Sequence, residues 1–143
     1  MNKIKNISII VIFTLVCSCA VFAASSKPFV KIPNFNWILT DSVYSEEGII
    51  NTYIDKNNAK KIENYNIYWE KFEKSSGDKL IAKYAIDCNR KIRTLMGGLH
   101  YNVNGYLILN IEGYNETNFK SAPEWENVNI LSDKTAQNVC IDK

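Results

Sequence analysis

Apolar and polar residues alternate along most of the chain after residue 28, with the period of two that is typical of β-strands. In segment 61–74, for example, Tyr65, Ile67 and Trp69 share one face. Gly, Asn, Ser and Asp residues, which favour turns, separate the alternating segments. The pattern predicts an antiparallel sheet of six strands, at residues 36–44, 49–55, 61–74, 79–89, 91–101 and 106–111.

Glycines mark two special places in this predicted sheet. Gly97 and Gly98 interrupt the fifth strand and predict a β-bulge or a close approach of two backbones. Asn104-Gly105 lies between the fifth and sixth strands. Because Asn-Gly is the pair that tight hairpins favour, it predicts a β-hairpin there.

The last part of the chain predicts a short helix over residues 133–141. Ser132 is the expected N-cap, with Asp133 in the first turn, where a negative charge suits the helix dipole. So short a helix is marginally stable alone in water, and it therefore needs an anchor on the sheet.

The first 23 residues have the layout of a signal peptide. Lys3 and Lys5 form a basic region, residues 7–16 are mostly apolar, and Val21-Phe22-Ala23 suits a leader peptidase. We expect cleavage before Ala24, which leaves residues 24–143 as a single β-rich domain.

Two alternatives to simple cleavage remain open. The apolar stretch could stay in the membrane as an anchor, although it is at the short edge for a bilayer span. Val16-Cys17-Ser18-Cys19 is similar to a lipoprotein box, in which Cys19 would be lipidated and would hold the protein on a membrane.

Loss of the signal peptide changes both the charge and the cysteine count. The whole chain has 17 Lys and Arg against 15 Asp and Glu, so removal of Lys3 and Lys5 leaves it near neutral. Global charge therefore gives no reason to expect a nucleic-acid partner. Cys88 and Cys140 remain as one pair, and in an oxidising compartment they are expected to form a structural disulfide. The expected fold is thus α+β: a six-stranded antiparallel sheet with a short C-terminal helix tethered by that disulfide.

No arrangement of residues typical of an enzyme occurs in the sequence. His100 is the single histidine and stands in a strand without a nucleophile elbow elsewhere in the chain. The cysteines form no CxxC pair, and no glycine-rich phosphate loop is present. We therefore expect no catalytic residue, no metal and no cofactor.

A basic group is the candidate binding site. Lys83, Lys91 and Arg93 lie on the fourth and fifth predicted strands, and they are interpreted as an open, partly basic sheet face. Such a face could attract an acidic or sulfated partner or form a dimer contact. The alternative is an ordinary solvated face, and strand alternation alone does not fix the register that would bring the three residues together.

Several short segments occur in an order that is similar to one known family. They are Thr52-Tyr53-Ile54-Asp55 before an Asn-Asn turn, Tyr68-Trp69, residues 84–91, Tyr101-Asn102 before Asn104-Gly105, Pro123-Glu124-Trp125, and Cys140. Together they resemble the surface-adhesin protein E family of Gram-negative bacteria. The resemblance implies a six-stranded antiparallel sheet with a disulfide-tethered helix, and it implies dimers. The chain departs from the family pattern after Trp125, where the expected proline before the helix is absent.

These observations predict an exported, non-enzymatic binding protein of the bacterial envelope or surface. The resemblance implies an adhesin for host matrix or serum proteins. The alternative is a periplasmic inhibitor or immunity-type protein that acts on a cell-wall hydrolase, since small disulfide-closed β domains suit that task equally well. The expected partner is a protein, and the expected location is the periplasm, the outer membrane or the cell surface.

Overall fold

The alternating segments form eight β-strands and one α-helix in a computed structural model that describes residues 33–141. The elements are β1 (Trp37–Ser45), β2 (Gly48–Asp55), β3 (Lys60–Ile62), β4 (Tyr65–Lys74), β5 (Lys79–Asp87), β6 (Ile92–Tyr101), β7 (Leu107–Ile111), β8 (Glu126–Asn127) and α1 (Lys134–Cys140). The predicted signal peptide, its cleavage site and Cys19 lie outside the described residues. No helix within residues 33–141 is long and apolar enough to cross a bilayer.

Six strands make the main sheet, in the order β1-β2-β4-β5-β6-β7, and every pair is antiparallel. The predicted fold class is confirmed. The predicted third strand, 61–74, is instead a small hairpin, in which β3 pairs with β4. The chain reverses at Glu63 and Asn64, where Glu63 has a φ of 53°. That left-handed conformation is uncommon for a residue other than Gly, Asn or Asp, so Glu63 did not point to a turn at this place.

The predicted bulge occurs in β6. Lys83 pairs with Gly97 while Tyr84 pairs with Leu95, so Met96 is the extra residue. A Cβ atom on Gly98 would lie 3.0 Å from the Ile81 carbonyl oxygen, which shows the close backbone approach that the glycine permits.

One face of the sheet packs under α1. Leu80, Ala82, Tyr84 and Ile86 of β5 are buried on it, as strand alternation predicts. The helix begins differently from the prediction, because the N-cap is Asp133, whose carboxylate accepts the Ala136 N–H at 2.9 Å. The Ser132 hydroxyl instead donates to the Asn129 carbonyl oxygen.

The disulfide between Cys88 and Cys140 is present, with the two Cα atoms 5.6 Å apart. It joins the last residue of α1 to the turn after β5. β5 ends at Asp87 rather than Asn89 because the Asp87 carboxylate accepts the backbone N–H groups of Asn89 and Arg90 and so stabilises the turn.

The second face of the sheet is covered where it was expected to be open. Phe119, in a 3₁₀ turn (Phe119–Ser121), is fully buried against Ile67, Ala85 and Met96. The Thr94 hydroxyl donates to the Glu124 carbonyl oxygen at 2.6 Å and holds the same segment down. The prediction of an open face opposite the helix is therefore wrong for the part of the sheet built by β4, β5 and β6.

Candidate binding surface

The predicted basic group is not assembled in the structure. Arg93 pairs with Ile86 and therefore lies on the helix face, whereas Lys83 lies on the opposite face. Lys91 is exposed in the turn before β6, where it has a φ of 56°. The expectation that Lys83, Lys91 and Arg93 share one open face is wrong, because the register of β5 and β6 separates them.

Arg93 belongs to an internal ion cluster. Its Nε atom lies 2.5 Å from a Glu126 carboxylate oxygen, and its Nη1 atom lies 3.4 Å from the carboxylate of Asp133. Only 12% of its side chain is exposed. Arg93 therefore connects β8 and the start of α1 to the sheet, which is a structural task.

Lys83 is also held within the protein. Its Nζ atom lies 3.0 Å from Glu116 Oε1 and 5.6 Å from the centre of the Trp69 ring. Lys60 contacts the same carboxylate. The hydrogen bond from Lys60, joined by the one from Lys83, lowers the pKa of Glu116, so the carboxylate stays charged and the two lysines stay paired.

Aromatic rings also lie over the second face, at β1, β2 and β4. The Phe35 ring lies 4.5 Å from the Trp37 ring and 5.3 Å from the Trp69 ring, measured between centroids. Lys71 Nζ stands 3.9 Å from the centre of the Tyr53 ring and is paired with Glu73 at 2.8 Å. Lys71 already makes a cation–π contact with the Tyr53 ring. We therefore interpret this group of aromatic side chains as packing on the sheet rather than as an open ligand site.

Exposed apolar side chains collect at the hairpin between β6 and β7. Val103 is 53% exposed, Tyr106 69%, Leu107 39% and Ile108 54%. We call these four residues the apolar tip. No charged residue occurs anywhere from Asn102 to Ile111. Scattered apolar residues on a surface are normal, but a group of four in one uncharged hairpin is typical of an interaction site.

The apolar tip stands on a well-ordered turn. The Asn102 side-chain oxygen accepts the N–H groups of Asn104 and Tyr106, each at 3.0 Å. The Asn102 N–H donates to the Tyr106 carbonyl oxygen at 2.9 Å, and Gly105 adopts a φ of 80°. The Asn-Gly hairpin that the sequence predicts is confirmed.

A second bulge turns Ile108 outward. His100 pairs with Leu109 and Tyr101 pairs with Leu107, so Ile108 has no partner on β6. β7 is the last strand of the six-strand order, and its outer side meets no further strand within residues 33–141. This surface was not predicted, although the uncharged run from Asn102 to Ile111 is visible in the sequence.

Comparison with known proteins gives no relative: no family model, curated protein or solved structure matches the chain. The resemblance to the surface-adhesin protein E family, and the dimer that it implies, therefore stay predictions.

Proposed function

We propose that this chain is an exported, non-enzymatic binding protein that engages a protein partner through the apolar tip. The observation that carries the proposal is the exposure of Val103, Tyr106, Leu107 and Ile108 on one uncharged hairpin. Edge strands of soluble proteins are usually protected by charged side chains, and β7 has none. A contact that buries these side chains would explain their exposure in the isolated chain.

The geometry of the hairpin suits binding in two further ways. The Asn102 hydrogen bonds hold the turn in place, so little conformational entropy is lost when a partner docks. Tyr106 offers a large apolar ring with a hydroxyl group, a combination that is enriched at protein interfaces.

Export and the surface location belong to the same proposal. The Cys88–Cys140 disulfide suits an oxidising compartment, which is consistent with the predicted signal peptide. Within that setting the partner is a host matrix or serum protein, so that the chain acts as an adhesin. The alternative partner is a cell-wall hydrolase, whose cleft a projecting hairpin would fit.

A matched pair of variants tests the proposal. Ile108→Lys places a charge in the apolar tip, and Leu39→Lys does the same on β1; the two parent residues are each 54% exposed. The full chain is produced in a Gram-negative host, purified in its processed form, and tested by biolayer interferometry against immobilised matrix proteins, serum proteins and lysozyme-type hydrolases. We expect Ile108→Lys to weaken binding at least tenfold and Leu39→Lys to leave it unchanged. The absence of binding to every protein of both classes, or equal weakening by the two variants, would contradict the proposal.

A further inference from the structure

A buried carboxylate lies beneath the first turn of α1. Glu70, in the middle of β4, is only 2% exposed. Its Oε2 atom has no hydrogen-bond partner, and the nearest cationic atom, Arg93 Nη1, is 3.9 Å away. Thr135, in the first turn of α1, lies beside the Glu70 carboxylate, and its hydroxyl forms a hydrogen bond of 3.1 Å with the Thr40 hydroxyl of β1. The ionisation of Glu70 is therefore linked to the packing of α1 against the sheet.

Too little positive charge is present to balance the acids around Glu70. The titratable and charged groups that face it are Tyr68 of β4, Tyr84 of β5, Arg93 of β6, Glu126 of β8 and Asp133 at the N-cap of α1. Arg93 is the one cation among them, and it lies closer to Glu126 and to Asp133 than to Glu70. An ionised Glu70 would therefore be a poorly compensated buried charge, which is costly.

Burial raises the pKa of Glu70 to about 7, against the opposing attraction of Arg93. When the first turn of α1 opens, water reaches the carboxyl group and its pKa returns towards the ordinary value of 4.5. We call the state in which the first turn of α1 packs on the sheet the closed state. Because the pKa of Glu70 is raised in this state, protonated Glu70 stabilises it fully below the ordinary pKa of 4.5, and the stabilisation falls as pH rises. The closed state therefore loses stability between about pH 4.5 and pH 7.

We propose that α1 is a pH-responsive latch: ionisation of Glu70 releases the first turn of α1 from the sheet, while the Cys88–Cys140 disulfide keeps the last residue of the helix attached. The disulfide separates this motion from unfolding, because the helix cannot leave the domain. The latch is independent of the apolar tip, which lies on the hairpin between β6 and β7.

Amide hydrogen exchange tests the latch in the processed full chain. The probes are the α1 amides of Ala136 and Gln137 in the first turn, which donate to Asp133. Strand amides of β4 and β5 are the internal reference. After correction for intrinsic exchange rates, the protection of the α1 amides should fall about 30-fold between pH 5.5 and pH 8.5, as linkage requires for the two pKa values above. The strand amides should keep their protection.

Two variants separate the role of Glu70 from that of its neighbours. Glu70→Gln removes the titrating group and should abolish the pH dependence. Glu126→Gln removes a different carboxylate that pairs with Arg93, one that is partly exposed to solvent. This variant should retain most of the pH dependence of α1 protection. The wild-type profile is decisive even if a variant folds poorly. Unchanged α1 protection across this pH range, equal loss in the strands, or the same pH dependence in Glu70→Gln would overturn the proposal.

Discussion

Removal of the disulfide should destabilise the domain strongly. The perturbation is the double variant Cys88→Ser with Cys140→Ser, which leaves no free thiol in the described residues. The crosslink closes a loop with a sequence separation of 52 residues. The chain-entropy treatment of a loop of that length gives about 4 kcal/mol of stabilisation.

In a domain of this size each kcal/mol corresponds to roughly 4 °C in Tm, so the double variant should melt about 15 °C below the parent. The loss should also free α1, because a helix of seven residues is marginal without an anchor.

Differential scanning calorimetry of the parent and the double variant at pH 6 measures the effect. Val139→Ser, beside Cys140 on the same helix, is the control for a change in side-chain polarity without loss of the crosslink. A fall in Tm of less than about 3 °C would refute the reasoning, as would two free thiols per mature chain, which we expect to start at Ala24, in the denatured, unreduced protein.

Three further predictions follow from other parts of the molecule. Phe119→Ala should lower the free energy of unfolding by about 3–5 kcal/mol in a urea titration, because the ring is fully buried; a loss below 1 kcal/mol would mean that the segment does not cover the sheet. Asp55→Ala should cost about 3 kcal/mol in the same assay, since its buried carboxylate accepts the backbone N–H groups of Asn36, Asn57 and Asn58; an unchanged midpoint would argue against those bonds. Intact mass of the protein purified from cells should give Ala24 as the first residue, whereas a lipidated Cys19 at the N-terminus would contradict cleavage at that site.

The sheet and its tether were accessible from the sequence because they depend on short-range patterns. Alternation at Tyr65, Ile67 and Trp69 indicates a strand whatever the register. The two cysteines that follow the predicted signal peptide allow only one pair between them. The Asn104-Gly105 hairpin is equally local, since this pair favours the turn itself.

The parts that the sequence analysis missed depend on pairing and on long-range packing. Alternation assigns residues to two faces of each strand but does not say what covers a face, so the burial of Ala85 beneath Phe119 was not foreseen. Arg93 and Lys83 lie on different faces of the sheet because of how β5 and β6 pair, and no pattern within one strand fixes that register. The hairpin turn at Glu63 depends on a left-handed backbone conformation that glutamate rarely adopts, so the residue type did not predict it.

Site-specific photo-crosslinking on living cells, with host matrix and serum proteins added, tests whether a protein partner docks on the apolar tip. A photoreactive phenylalanine analogue replaces Tyr106 in the apolar tip or, as the control, Tyr44 on β1, which is also highly exposed. We expect one discrete crosslinked protein for the Tyr106 position and none for the Tyr44 position. No adduct at Tyr106, or the same adducts at both positions, would contradict it.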